Sequence, residues 1–102
     1  MIPPHDTLTP EDVRQGRAAD GLFKFVRLST GEVRLFQQRA RHSQAVEEGE
    51  VAVGAGTISL REWRGDMVVE DGYSSTLKVS TTQEDKKALS ALVGLPIGDK
   101  WD

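Results

Sequence analysis

Cysteine is absent from the 102 residues, which removes disulfides, thiolate nucleophiles and every zinc or iron–sulfur site built on sulfur. A chain without such staples suits a reducing compartment, so a cytoplasmic address is expected. Histidine is nearly as scarce. His5 and His42 are the only two, and the carboxylates that would have to complete a metal site, such as Glu47, Glu48, Glu50, Glu70 and Asp71, have no metal-loop spacing. Neither a metal nor another cofactor is expected. Excess basic charge is lacking too: 13 Lys and Arg stand against 16 Asp and Glu, a net charge of -3, and nucleic acid needs clustered cations. No apolar run is long enough to span a bilayer, and "MIPPHDTLTPED" lacks the basic-then-apolar order of a secretory leader. The composition thus points to a soluble protein with no nucleic-acid or membrane partner.

What remains is an ordinary small domain. Apolar residues at 37% recur with clear periodicity beside 28% charged residues, and the length suits one domain with a modest core. Residues 1–8 hold two of the four prolines and read as an extended arm before a single domain over 9–102. "TPEDV" then starts a short helix, with Thr9 as cap, Pro10 in the first turn and Gly21 as the latest stop.

From Leu22 the period changes to two. "LFKFVRL" and "VRLFQQ" flank "STGE", and a two-residue loop at Thr30-Gly31 would set Leu28 against Val33, Val26 against Leu35 and Arg27 against Arg34. Two facing arginines require something acidic beside them, or mark an anion site. "TISLREW" and "MVVE" read as two more strands around Arg64-Gly65-Asp66, a tripeptide better explained as a turn than as an adhesion signal. After a turn at Asp71-Gly72, "YSSTLKV" reads as one strand with Tyr73, Ser75, Leu77 and Val79 on one face. The chain ends with a helix whose capping box is Thr81 and Glu84, whose stripe is Ala88, Leu89, Leu92 and Val93, and whose stop is Gly94 before Pro96. Trp101 follows, either docked or frayed. The expected class is α+β: an antiparallel meander of five to six strands with a short N-terminal helix and a C-terminal helix packed on it.

The richest stretch for chemistry is "RHSQAVEEGEVAVGAGTI", residues 41–58. Its glycines fit neither nucleotide-binding pattern, because no Lys-Ser or Lys-Thr pair follows Gly54 and a strand stands where a helix should begin. They read instead as a loop becoming the Ile58 strand, with Gly54 and Gly56 permitting a bulge or a close backbone approach. His42 and Ser43 are the candidate catalytic pair. As neighbours in an extended segment they point apart, so each would need a distant partner. Arg27, Arg34 and Ser74 are candidate anion or ligand contacts, while Glu47, Glu48, Glu50 and Trp63 are candidate contacts for a basic protein partner. An ADP-ribosyltransferase-like order of Arg41, the hydroxyls Ser74 to Thr76 and the acids Gln83 to Asp85 fails on spacing.

His42-Ser43, Gly49, Val51 or Val53, Ala55-Gly56-x-Ile58 and "SSTL" at Ser74 to Leu77 follow one another in an order that has a precedent. Over about residues 22–94 the chain resembles a segment of plant IQ-motif calmodulin-binding proteins and of C-terminal domains in some bacterial polymorphic toxins. In those, the last piece reads Ser-Gly-His-Tyr. Here Ser75, Thr76 and Leu77 replace Gly-His-Tyr, and no IQ motif is present. The resemblance implies a shared small α+β module, in a toxin-related setting. The expectation is a non-enzymatic protein-binding module, accessory or immunity-like; the alternative is a small-ligand or transferase-like domain around His42 and Ser43.

Overall fold

In the computed structural model, which describes residues 1–100, the period-two stretch from Leu22 becomes the middle of a five-stranded antiparallel sheet. Its strands are β1 (Thr7–Leu8), β2 (Leu22–Leu28), β3 (Val33–Gln37), β4 (Ala52–Arg61) and β5 (Asp66–Asp71). A short hairpin of β6 (Tyr73–Ser74) and β7 (Val79–Ser80) stands apart, and helices α1 (Pro10–Arg14) and α2 (Gln83–Val93) complete an α+β fold. The sheet order is β1-β3-β2-β4-β5, which differs from a sequential meander. The β2–β3 and β4–β5 connections are hairpins, but β4 pairs with the free side of β2. Residues 38–51 must therefore cross one face of β2 to start β4 at the right end, and Ala40 and Ala45 of that crossover pack on Val26, Leu28 and Phe36.

The register of the first hairpin corrects the expected one. Leu28 N–H donates to the Glu32 carbonyl, so Ser29-Thr30-Gly31 forms a three-residue loop whose last member sits at φ +97°. The extra loop residue shifts every pair by one: Arg27 faces Val33 and Val26 faces Arg34. Because side chains alternate, that shift sends the two arginines to opposite faces.

On one face lie Phe23, Phe25 and Ile58, covered by Val13 of α1 and by Leu89 and Val93 of α2. Helix α1 ends at Arg14, well before Gly21, because Gly16, just beyond the cap residue Gln15, turns the chain out in the left-handed conformation at φ +75°. Thr9 caps it as expected, and Asp12 completes a capping box by accepting from Thr9 N–H. That of α2 moves by one residue to Thr82 and Asp85. The cause is that Thr81 is engaged by the sheet: its hydroxyl donates to the Ala55 carbonyl and its N–H to that of Gly72. Gly94 ends the helix in the left-handed conformation, as expected, whereas Leu92 is partly exposed. Gly54 is explained by this junction. A Cβ there would fall 2.1 Å from the Asp85 carboxylate, so only glycine lets the helix cap rest on β4. β4 is bulged at Val53, where Arg27 and Leu28 pair with Gly54 and Ala52.

The other face carries Val26, Phe36 and Ala55, roofed by the crossover and by Leu77 and Val79. The stretch 73–79, expected as one strand, is a hairpin. Lys78 N–H closes on the Ser74 carbonyl and Lys78 adopts φ +57°, which folds the chain back over itself. Residues 1–8 dock: after a 3-10 turn at Pro4–Asp6, Thr7 and Leu8 pair with Phe36 and Leu35, and buried Asp6 holds Arg39. At the opposite edge, Met67 N–H donates to the Pro96 carbonyl and Gly98 N–H to that of Met67, so residues 96–98 cover β5. Arg64-Gly65-Asp66 is a turn. Arg64 and Gly65 donate to the Arg61 carbonyl, and Arg61 grips buried Asp66 with two hydrogen bonds of 2.7 and 2.6 Å. No helix among the described residues is long and apolar enough to cross a membrane. Trp101 lies outside the described residues.

Candidate ligand cavity

The row Phe36, Lys24, Thr57, Asp71 runs directly across β3, β2, β4 and β5, so these four side chains share one face of the sheet. Phe36 is covered by the edge of the His42 ring, with centroids 6.0 Å apart. The remaining three form the floor of a cavity of about 280 Å³. Arg41 and His42 of the crossover make one wall, and Tyr73 to Thr76 of the β6–β7 hairpin make the other. Asp71 reaches this face because β5 is bulged at Glu70, between its pairings with Ile58 and Thr57.

His42 is buried, and its Nε2 lies 3.0 Å from the Gly56 carbonyl. A carbonyl only accepts, so the proton is on Nε2 and Nδ1 is left as the acceptor. Burial pushes the imidazole pKa down, the Gly56 bond opposes that less strongly, and Lys24 adds to the depression. His42 is thus neutral at pH 7. Lys24 donates to the Ala40 carbonyl at 2.9 Å; burial lowers its pKa, and the charge of Arg41 lowers it further. Among the described residues, neither Lys24 nor Arg41 has a carboxylate in ion-pair contact. Asp71 accepts from Tyr73 N–H at 3.1 Å. Ser74 is buried, with its hydroxyl 3.3 Å from that of Thr76 and accepting from Leu77 N–H. The lining is therefore two cations, one carboxylate, a neutral imidazole and five hydroxyl side chains.

Of the residues singled out from the sequence, the fold brings His42 and Ser74 into this cavity, with Arg41 and Thr76. Ser43 is exposed and lies outside the lining, and Ser74 is committed to closing its own turn, so no serine is paired with a base. Arg27 is on the helix face, where its guanidinium meets buried Asp85 and exposed Glu84. Arg34 makes a bidentate contact of 2.6 and 2.7 Å with Glu50 and a further one with Glu32. The facing-arginine anion site is thereby replaced by two separate ion pairs. Glu47 and Glu48 are exposed, but Glu50 is occupied by Arg34. Trp63 is 77% exposed between Arg61 and Arg64 at the β4–β5 tip. That tip is at the far end of β4 from Glu50, roughly 30 Å along a ten-residue strand. Gln83 to Asp85 belong to α2 on the opposite face of the sheet, away from Arg41 and the hydroxyl run. No cluster of three or more potential metal ligands occurs among the described residues.

Lys24, Thr57 and Tyr73 were not singled out from the sequence. One signal was there: a lysine inside "LFKFVRL", a strand whose neighbours are apolar on both sides, needs a reason to be polar. No family model, curated protein or solved structure matches the chain.

Proposed function

We propose that this domain is a non-catalytic binding protein for a small polar molecule, held in the cavity between the crossover and the β6–β7 hairpin. The observation that carries the reading is convergence. His42, Ser74 and Thr76 come from segments far apart in the chain, yet line one concavity with Lys24 and Arg41. His42 and Ser74 also match the two ends of the motif the sequence resembles, and a shared cavity gives those ends a common purpose. Catalysis is left out of the reading because no nucleophile and base stand together.

The test is a screen of the uniformly ¹⁵N-labelled protein against small polar molecules, read by amide shifts. Binding in the cavity is expected to move His42, Thr57 and Ser74 to Thr76 together. Shifts confined to the Trp63 tip, or none across the screen, would refute it.

A second reading rests on Trp63, whose exposure at a hairpin tip is what a protein contact would use. In that reading the chain is the protein-binding, accessory or immunity-like module suggested by the sequence. Trp63→Ala would then abolish partner capture while leaving cavity binding unchanged.

A further inference from the structure

We infer that the ligand of this cavity is a small hydroxylated oxyanion, a polyol phosphate or a sugar acid, with its anionic group between Lys24 and Arg41 and its hydroxyl groups toward Asp71 and Thr76. The inference rests on the cavity reading above and adds the chemistry of the occupant. Charge supplies the first argument. Most arginines of the chain are closed by the protein itself: Arg17 by Asp12, Arg27 by Asp85, Arg34 by Glu50, Arg39 by Asp6 and Arg61 by Asp66. Lys24 and Arg41 are different. They line the same small cavity, the charge of Arg41 opposes that of Lys24 more strongly than the Asp71 carboxylate supports it, and neither cation has a carboxylate in ion-pair contact among the described residues. Two such cations are an unfilled anion site, since an oxyanion placed between them would relieve their repulsion and accept from both.

Polarity supplies the second. An anion alone would not need Asp71, whose Cα lies two strand spacings, roughly 10 Å, from that of Lys24 on the same row and whose charge supports Lys24 less strongly than burial and Arg41 oppose it. A carboxylate so placed repels a second anionic group and accepts from a hydroxyl. Thr57, Tyr73, Ser75 and Thr76 present further hydroxyls between and around these ends. A molecule with one anionic end and several hydroxyls matches that polarity along its length. Size agrees, because about 280 Å³ falls just below the usual range for drug-sized ligands. Recognition is by side chains; the glycines of β4 face the helix side, against Asp85 and Thr81.

The probes are ribose phosphate, gluconate, inorganic phosphate and ribose, titrated into the full ¹⁵N-labelled chain. Ribose phosphate or gluconate is expected to shift Lys24, Arg41, Thr57 and Thr76 at a concentration about tenfold or more below that needed for ribose, the worth of one charge-assisted hydrogen bond. Arg41→Ala and Lys24→Gln are each expected to remove that advantage, with the native spectrum retained elsewhere. Equal potency of ribose and the two anions would overturn the oxyanion assignment while leaving the cavity reading standing. Inorganic phosphate equal to ribose phosphate would overturn the polyol half. No shift in the cavity with any probe overturns the inference as a whole, whereas the wider screen decides separately whether the cavity binds anything.

Discussion

Arg27 and Lys24 lie on the same strand and point to opposite faces of the sheet, and the protein treats them in opposite ways. Arg27 is roofed by α2, whose fully buried Asp85 accepts from its guanidinium and whose Glu84 stands nearby. Lys24 is roofed by a loop and a small hairpin, next to Arg41, with the Ala40 carbonyl accepting from its ammonium and open space beyond. Removing a cation from water is unfavourable unless an anion or a full set of acceptors replaces the lost hydration. The helix face meets that demand internally and is rigidly complementary. The loop face meets it only in part, through the Ala40 carbonyl and the more distant Asp71 charge, and the proposed ligand is what would meet the rest.

Substitutions sharpen this contrast by the size of their effects. Asp85→Ala is expected to be the most damaging, at about 3–5 kcal/mol, because it strands Arg27 in a part-buried site and removes the α2 cap together. Leu89→Ala, in the core under the same helix, is expected to destabilise by about 2–5 kcal/mol. Gly54→Ala forces a methyl group onto the Asp85 carboxylate and is expected to lower stability by about 1–3 kcal/mol. Urea unfolding midpoints check all three. Little change in any of them would mean that the helix face is not the tightly fitted one.

On the loop face the expected effects are smaller and depend on conditions. His42 has a depressed pKa in the folded chain, so the unfolded chain takes up a proton that the native one refuses. Stability is therefore complete above the ordinary histidine value of 6.5 and falls as pH drops below it toward the native value. Glu50 and Asp66, lowered chiefly by Arg34 and Arg61, contribute fully above their ordinary values of 4.5 and 3.8 and lose that contribution as the pH falls through them toward the lowered native values, so their loss begins at lower pH than that of His42. His42→Gln, which retains a donor for Gly56, is expected to flatten the urea midpoint across the histidine window; an unchanged slope there would contradict the assignment. The smallest effect is that of Arg41→Ala in the absence of ligand, within about 0.5 kcal/mol of the parent, since an exposed and unpaired arginine holds nothing together.

How much of this was legible in the sequence depended on whether an element is decided locally. The α1 cap at Thr9, the stop of α2 at Gly94 and the turn around Gly65 follow from nearby residues, and the structure has them where they were read. Register was not legible. A two-residue and a three-residue loop both fit "STGE", and the choice moved Arg27 and Arg34 from one face to two. The same limit applied to Thr81, which looks like a helix cap until β4 occupies its hydroxyl. Of the site, Ser74 is legible as a candidate ligand contact and His42 as a candidate catalytic residue, while Arg41 enters only through a pattern that fails on spacing. Lys24 and Thr57 become neighbours through β2–β4 pairing, a long-range event that the crossover dictates and that no local pattern reports.

The uncompensated charge on the loop face can be measured by following the Lys24 side chain through its titration by NMR, in the parent and in Arg41→Ala. Lys24 is expected to lose its proton below the ordinary lysine value of 10.5 and to move partway back toward it when Arg41 is removed, burial accounting for the rest. A Lys24 that titrates at or above that value, unmoved by the loss of Arg41, would contradict an open anion site in this cavity.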